Sequence, residues 1–139
     1  MRQVDDQQLP PGLDRTLGFT YDEVSGDRVV VSWTVDERHL QPYGIVHGGV
    51  HCSVVESTAS IGAAVWFADR GQVVGVNNNT NFLRAAKPGD RLTATATPLH
   101  RGRLQQLWLV EIVDDSGRHI ARGEVRLQNL PTADAPTAQ

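Results

Sequence analysis

Apolar residues recur along the chain in short runs that turn residues separate, and six of these runs have the character of strands. Val29, Val31 and Trp33 occupy alternate positions, which is the period of a strand with one buried face. The runs predict strands over residues 18–24, 28–35, 72–83, 91–100, 104–113 and 119–127. Ser25-Gly26-Asp27 predicts a hairpin turn between the first two strands, and Asp114-Asp115-Ser116-Gly117 separates the last two.

One longer stretch, residues 48–68, is dense in Val, Ala, Ser and Gly, and its apolar residues recur at helical spacing. It predicts a single buried helix. A second, short helix is predicted over Leu13–Leu17, because Pro10-Pro11-Gly12 stops any helix before it. The order of two strands, one long helix and four strands predicts an α+β fold, in which a mainly antiparallel sheet wraps around the helix.

The length and composition fit one globular domain. The chain has 139 residues, of which 40% are hydrophobic and 21% charged, close to the average of globular domains. We assign residues 18–130 to the domain, residues 1–17 to an N-terminal lead-in, and the small, polar, Pro/Ala-rich residues 131–139 to a disordered tail. The single cysteine, Cys52, excludes an intramolecular disulfide, and no apolar leader follows Met1, so we expect the cytoplasm as the location.

The net charge argues against two classes of partner. A formal charge of −3 gives no global attraction to nucleic acid or to an anionic membrane, so neither is expected as a partner. The charge is uneven, however, because the segment 84–103 carries five cations against Asp90 alone. This segment is either a solvated surface or a phosphate-binding rim. Its cations are Arg84, Lys87, Arg91, Arg101 and Arg103.

Glu56 is the only charged residue between Arg38 and Asp69. The histidines and four glycines of this stretch argue against a membrane span, so the stretch is expected to contain a core helix. A carboxylate in a buried helix costs free energy unless it is paired or lies at an opening, so Glu56 either faces solvent or is functional. The preceding His47-Gly48-Gly49 leaves backbone N–H groups at the helix N-terminus accessible to a ligand, where they could form an oxyanion hole.

Other chemistries fit the sequence less well. His47 and His51 are four residues apart, but no glutamate follows His47 as a zinc protease requires, and His51 to Glu56 spans five residues, so no metal site is predicted. Cys52 lies inside the apolar helix, where a cysteine is usually a small buried hydrophobe rather than a nucleophile. The chain contains no Gly-x-Ser-x-Gly, Walker or Gly-x-Gly-x-x-Gly motif, which excludes the common serine hydrolase, P-loop and Rossmann classes.

Two segments carry a resemblance to a known family: Gln41-Pro42-Tyr43-Gly44-Ile45-Val46-His47-Gly48-Gly49 and Glu56-Ser57-Thr58-Ala59-Ser60. Here the sequence resembles the hotdog-fold acyl-CoA thioesterases, in the branch that contains the phenylacetate-pathway type and the 4-hydroxybenzoyl-CoA and 1,4-dihydroxy-2-naphthoyl-CoA thioesterases. The resemblance spans most of residues 18–130. It implies a hotdog fold, in agreement with the order of elements predicted above.

The resemblance implies roles for individual residues. Glu56 matches the family's catalytic carboxylate, which acts as nucleophile towards the thioester carbonyl or as general base towards water; both remain open. Gly48 matches the glycine whose N–H polarises the thioester oxygen. Gln41 and His47 match side chains that orient the thioester, and Ser60 matches the hydroxyl that places water. Because the family's sites form between subunits, these residues imply a homodimer or homotetramer in which Gln41 and His47 of one chain face Glu56 of another.

The resemblance also implies a binding role for the basic segment, residues 84–103. Family members hold the nucleotide end of coenzyme A with surface cations, a role that falls here on Arg84, Lys87, Arg101 and Arg103. Coenzyme A is then part of the substrate, and no separate cofactor is expected.

The sequence leaves two possibilities for the acyl group of the substrate, an aryl group or a medium-length chain. Phe82 stands where the naphthoyl branch often has a histidine, and it could line an aryl pocket together with Tyr43, Trp66 and Phe67. Two alternatives to an acyl-CoA thioesterase are a non-catalytic acyl-CoA-binding hotdog domain and a hotdog hydratase or dehydratase. The thioesterase motif disfavours the hydratase.

Overall fold

A six-stranded antiparallel sheet wraps around a 20-residue helix in the computed structural model of the protein, which describes residues 3–133. The two helices are α1 (Leu13–Leu17) and α2 (Gly48–Phe67), and single 3-10 turns occupy Asp6–Gln8, Glu37–His39 and Ala68–Arg70. The strands are β1 (Thr20–Val24), β2 (Val29–Thr34), β3 (Gly71–Phe82), β4 (Arg91–Arg101), β5 (Gln105–Asp114) and β6 (His119–Pro131).

The predicted elements are confirmed, and most of their ends lie within two residues of the prediction. The exception is β6, which continues to Pro131 because its last residues pair with the beginning of β3, as in the pair Gly71 and Pro131. The tail predicted from residue 131 therefore begins with the last residue of a strand, and its residues 134–139 lie outside the described part of the chain.

The strand order places β3 at an edge of the sheet. The order is β1-β2-β4-β5-β6-β3, so α2 carries the chain across the sheet from β2 to the far side of β6. Within residues 3–133, β3 pairs with β6 alone and leaves its other side without a neighbouring strand. Val74 and Val76 on this strand are exposed. A long, apolar free edge is the part of a sheet most ready to pair with another chain.

The core lies between the sheet and α2. The alternating residues Val29, Val31 and Trp33 of β2 are all buried, as their period predicts, and Trp108 of β5 is fully buried opposite α2. Gly62 permits this packing, because a Cβ at that position would lie 2.7 Å from Trp108 Cη2. No helix within residues 3–133 combines the length and the apolar character that crossing a membrane requires.

The N-terminal segment is fastened to α2 through Asp14. Tyr21 Oη donates a hydrogen bond to Asp14 Oδ2 at 2.6 Å, and Ser57 Oγ donates one to Asp14 Oδ1 at 2.6 Å. Burial, together with the aspartate, raises the pKa of Tyr21 far above its ordinary value, so the phenol stays a donor. One carboxylate thus joins α1, β1 and α2.

Candidate active site

Glu56 lies in the middle of α2 on the side that faces β3, and two side chains contact its carboxylate. Ser60, one turn further along α2, donates from Oγ to Glu56 Oε2 at 3.3 Å. Asn78 of β3 donates from Nδ2 to Glu56 Oε1 at 3.3 Å and to the carbonyl oxygen of Cys52 at 3.0 Å. Thr80 Oγ1 donates to Asn78 Oδ1 at 2.7 Å, which turns the Asn78 amide group towards Glu56.

The backbone of β3 leaves space for this carboxylate at Gly75. A Cβ at residue 75 would lie 2.1 Å from Glu56 Oε2, so any other residue there would displace the carboxylate. Sequence reasoning paired Glu56 with Ser60 but missed Asn78 and Thr80. Asparagine is unfavourable in strands, so the run Asn77-Asn78-Asn79 inside a predicted strand was an available signal of a polar role.

His47 caps the N-terminus of α2. Its backbone is extended, at φ −64° and ψ 133°, and its Nδ1 accepts a hydrogen bond from the N–H of Gly49 at 2.8 Å. Because Nδ1 is an acceptor, the neutral imidazole carries its proton on Nε2, which makes the exposed ring a donor at this helix end. The Gly48 N–H belongs to the first turn, where N–H groups have no acceptor within the helix.

A cavity of about 340 Å³ opens beside this helix end. Phe82 forms one wall and lies so close to Gly48 that a Cβ on residue 48 would be 2.7 Å from Phe82 Cζ. The side-chain oxygen of Gln41 accepts a hydrogen bond from the N–H of Tyr43, which fixes Gln41 at the entrance. The cavity is lined by Gln41, Ile45, Val46, Gly48, His51, Phe82, Leu83, Arg84 and Ala85.

The predicted catalytic residues fall into two groups within one chain. Gln41, His47 and Gly48 lie together at the N-terminal end of α2, whereas Glu56 and Ser60 lie further along the helix. Eight residues of α-helix separate Gly48 from Glu56 by about 12 Å. That separation is too long for both groups to contact one thioester carbonyl.

The four predicted cations are not equivalent. Arg84, Lys87 and Arg103 are exposed and form no ion pair within residues 3–133, and Arg84 lies at the edge of the cavity. Arg101 instead donates from Nη1 to Asp27 Oδ1 at 2.8 Å and to the carbonyl oxygen of Gly26 at 2.7 Å. It is therefore already engaged in holding the β1–β2 turn.

The four predicted aromatic residues lie in two different parts of the molecule. Phe82 lines the cavity and Tyr43 is 91% exposed near its entrance. Trp66 and Phe67 lie at the other end of α2, about 27 Å from Gly48 by the rise of the helix. Phe67 is buried in the core and Trp66 packs against Gly26 and under Arg70 and Arg101. Of these aromatic rings, only Phe82 is part of the cavity wall.

The residues weighed for other chemistries have different surroundings. His47 is exposed and His51 is buried, and no group of three His, Cys, Asp or Glu side chains suited to a metal ion forms in the described residues. Cys52 is partly exposed rather than buried as predicted, since it lies on the helix side next to Asn78.

A larger groove of about 600 Å³ lies between the N-terminal segment and α2, away from all the predicted site residues. Its walls are mostly apolar, with Leu13, Ile61 and Val65 among them, but they also include Asp14 and Tyr21. The Asp14 carboxylate already accepts hydrogen bonds from Tyr21 and Ser57, and none of the predicted catalytic residues lines this groove.

Comparisons with known proteins identify the family of this chain. The sequence profile of the Thioesterase superfamily matches residues 43–121. A Mycobacterium tuberculosis (strain H37Rv) protein named "putative esterase" is 50% identical over 121 residues, which are 85% of this chain and 86% of that protein. The 1,4-dihydroxy-2-naphthoyl-CoA hydrolase of Escherichia coli (strain K12) is 33% identical over 102 residues, 73% of this chain and 74% of that protein.

A solved structure shows the same relationship in the fold. AziG from S. sahachiroi is 54% identical in sequence, and its crystal structure superposes with a TM-score of 0.83, covering 84% of this chain and 94% of AziG. The profile match and the identity over most of both chains establish the relationship, and they confirm the predicted fold and enzyme class. The chain therefore belongs to the thioesterase superfamily and is a thioester hydrolase with a hotdog fold.

Proposed function

We propose that the protein hydrolyses the thioester of an aryl- or medium-chain acyl-CoA to the free acid and coenzyme A, with Glu56 as the catalytic carboxylate. The observation that carries the proposal is the fixed position of Glu56 between Ser60 and Asn78, against the open backbone of Gly75. These two donors hold the carboxylate in one orientation, as both nucleophilic and general-base catalysis require. The E. coli relative, named for an aryl-CoA, supports this substrate class.

Two routes use the same groups. As nucleophile, Glu56 attacks the carbonyl carbon, the thiolate of coenzyme A leaves, and water cleaves the resulting anhydride. As general base, Glu56 takes a proton from a water molecule placed by Ser60, the hydroxide attacks the carbonyl carbon, and the C–S bond breaks to release the thiolate of coenzyme A. In both routes the negative charge on the carbonyl oxygen is stabilised by the Gly48 N–H at the helix N-terminus, with the Nε2–H of His47 and the amide of Gln41 as further donors.

The proposed site is shared between two copies of the chain. Gly48 and Glu56 are too far apart on one helix to contact one carbonyl, so Gln41, His47 and Gly48 of one copy would face Glu56 of another. The free edge of β3, with Val74 and Val76 exposed, supports self-association next to the strand that holds Glu56. The active unit is then a homodimer, alone or within a homotetramer.

The cations are proposed to bind the phosphates of coenzyme A. Arg84, Lys87 and Arg103 are exposed and have no competing carboxylate among the described residues, so they can contact phosphate directly. Arg101 contributes only after it releases Asp27, which makes it the weakest of the four. The cavity lined by Phe82 is proposed to hold the reacting end of the substrate, and the apolar wall favours an aryl acyl group.

The test is the Glu56→Gln variant, which keeps the shape of the side chain. Thiol release from benzoyl-CoA and hexanoyl-CoA is expected to fall by about 10²–10⁴-fold in kcat, because the variant lacks the nucleophile or base. Glu111→Gln is the matched control, since Glu111 lies on β5 and pairs with Arg122 at 3.6 Å. Thermal unfolding should show that both variants fold.

Two results would contradict the proposal. A Glu56→Gln rate within a few-fold of the wild-type rate would show that Glu56 takes no part in the chemical step. Wild-type protein that binds acyl-CoA without releasing thiol would instead indicate a binding domain. For an active enzyme, a burst of thiol release before the steady state would identify the nucleophilic route, and its absence with a slow chemical step would favour the general base.

A further inference from the structure

His51 is a buried histidine in the wall of the cavity beside Gly48. It lies one turn beyond Gly48 on α2 and is 3% exposed. Its ring centroid is 6.1 Å from that of Phe82, the opposite wall, and 6.1 Å from that of Trp33 in the core. His51 is therefore a buried polar group in a cavity wall whose other polar side chains are Gln41 and Arg84.

The hydrogen bonds of His51 are incomplete. Its Nδ1 is buried and has no hydrogen-bond partner within residues 3–133. Leaving a buried polar atom without a partner is costly, and native proteins contain few such atoms. The cavity is where a partner could enter, because His51 lines it directly.

Nε1 of Trp33 is the other buried side-chain atom without a partner within residues 3–133, but the second buried histidine, His39, differs from His51. His39 is 1% exposed, but its Nδ1 accepts from the N–H of Asp36 at 2.9 Å and its Nε2 lies 2.7 Å from the carbonyl oxygen of Leu17. Both nitrogens of His39 thus have partners supplied by the fold, whereas the fold supplies none for Nδ1 of His51.

The protonation state limits what His51 can recognise. Burial lowers its pKa to about 4, so the ring is neutral at neutral pH and offers one N–H donor and one acceptor nitrogen. A neutral ring suits a hydroxyl or carbonyl group and gives no advantage to a phosphate. The charged end of coenzyme A has exposed cations elsewhere, at Arg84, Lys87 and Arg103.

We infer that His51 is a specificity-determining residue, which forms a hydrogen bond with a hydroxyl or carbonyl substituent on the acyl group of the substrate. The inference rests on the proposed function, since it places the thioester at Gly48 and the acyl group in the cavity lined by Phe82. The cavity, at about 340 Å³, exceeds the ~150 Å³ that accommodates a benzene ring. The cavity therefore has room for a substituted aromatic ring beside Phe82 and His51.

The experiment compares benzoyl-CoA with its 2-, 3- and 4-hydroxy derivatives. Wild-type protein is expected to hydrolyse at least one hydroxy isomer with a kcat/KM about tenfold or more above that of benzoyl-CoA, because a site built around a polar partner discriminates against the analogue that lacks it. His51→Phe and His51→Leu should lower this preference to about twofold or less while retaining benzoyl-CoA hydrolysis, since each removes the polar atoms only. Leu83→Ala, in the same cavity, is the control and should change the rates of all four esters together.

Three results would overturn the inference. An unchanged preference in both His51 variants would show that the nitrogen is satisfied within the core beside Trp33. An equal loss for all four esters would assign His51 to the shared pantetheine arm. A wild-type enzyme that hydrolyses benzoyl-CoA as fast as every hydroxy isomer would show that no ring hydroxyl is recognised. In each case thiol release continues to depend on Glu56, so the proposed function stands; it fails with the inference only if none of the esters is hydrolysed.

Discussion

Among single residues, His39 and His51 show how surroundings decide the role of one residue type. Both imidazoles are buried next to Trp33, with ring centroids 4.8 and 6.1 Å from its ring. The backbone partners of His39 tie the segment that follows β2 to the end of α1. Nδ1 of His51 has no such partner within residues 3–133. We expect the free energy of unfolding to depend on the protonation of His51 as the pH falls.

The first prediction concerns the stability of the protein in acid. Burial lowers the pKa of His51 to about 4, so below about pH 6.5 the unfolded chain binds a proton at His51 that the folded chain does not. This histidine therefore removes stability as the pH falls from 6.5 towards 4, by up to about 3 kcal/mol. Urea unfolding of wild type and His51→Phe at several pH values measures the effect.

The comparison isolates His51 because the carboxylates titrate in both proteins. The wild-type free energy of unfolding should fall more steeply with decreasing pH than that of His51→Phe, and the two should run parallel above pH 7. Parallel curves over the whole range would mean that His51 is solvated in the folded protein.

Among the elements, α2 and β3 together hold Glu56, the proposed catalytic carboxylate. α2 supplies Glu56 and Ser60 at a spacing of one turn, and β3 supplies Asn78 and the open backbone at Gly75. The position of α2 against the sheet thus determines whether the carboxylate reaches its partners. That position depends on small residues where the helix lies close to β5.

The second prediction tests this helix packing. Alanine is a better helix former than glycine, so Gly62→Ala should stabilise an isolated α2 by about 1 kcal/mol. In the folded protein the new Cβ would lie 2.7 Å from Trp108, so we expect a net loss of about 1–3 kcal/mol in the free energy of unfolding. Urea unfolding measures it, and a Trp108→Phe background, which opens space, should reduce the loss. Greater stability of Gly62→Ala would refute this view of the packing.

For the whole molecule, the distance between the two groups of proposed catalytic residues is the basis for a site shared between chains. One chain provides Gln41, His47 and Gly48 at one end of a helix and Glu56 near its middle, about 12 Å away by the helical rise. Two copies related by a twofold axis can bring the groups together twice, which gives two equal sites.

The third prediction is complementation between inactive variants. Glu56→Gln lacks the carboxylate, and the Gln41→Ala/His47→Asn double variant lacks the orienting side chains but keeps a helix-capping residue at position 47. A heterodimer of the two contains one complete site, so a random mixture of co-folded chains should recover about a quarter of wild-type activity. Heterodimers purified through two different affinity tags provide the cleaner measurement. Activity no greater than that of the separate variants would contradict sites shared between chains.

The elements and the carboxylate could be predicted from the sequence, whereas the partners of the carboxylate could not. Strand alternation and the apolar stretch of α2 identified the elements, because these periods arise from local backbone geometry. Glu56 was identifiable because it is the single charge in that stretch. Ser60 was implied by the family resemblance, but Asn78, 22 residues from Glu56, required knowledge of how β3 lies against α2.

The sequence by itself determined the fold class, and it identified the two parts of the proposed site, Glu56 and the His47-Gly48-Gly49 helix start. The tertiary structure decided which cations are available, since Arg101 is paired with Asp27 while Arg103 is exposed. It also decided that His51 lines the cavity without a partner for Nδ1. The physical reason is that periodicity and capping are properties of neighbouring residues, whereas ion pairs, burial and cavity walls arise only when distant segments pack together.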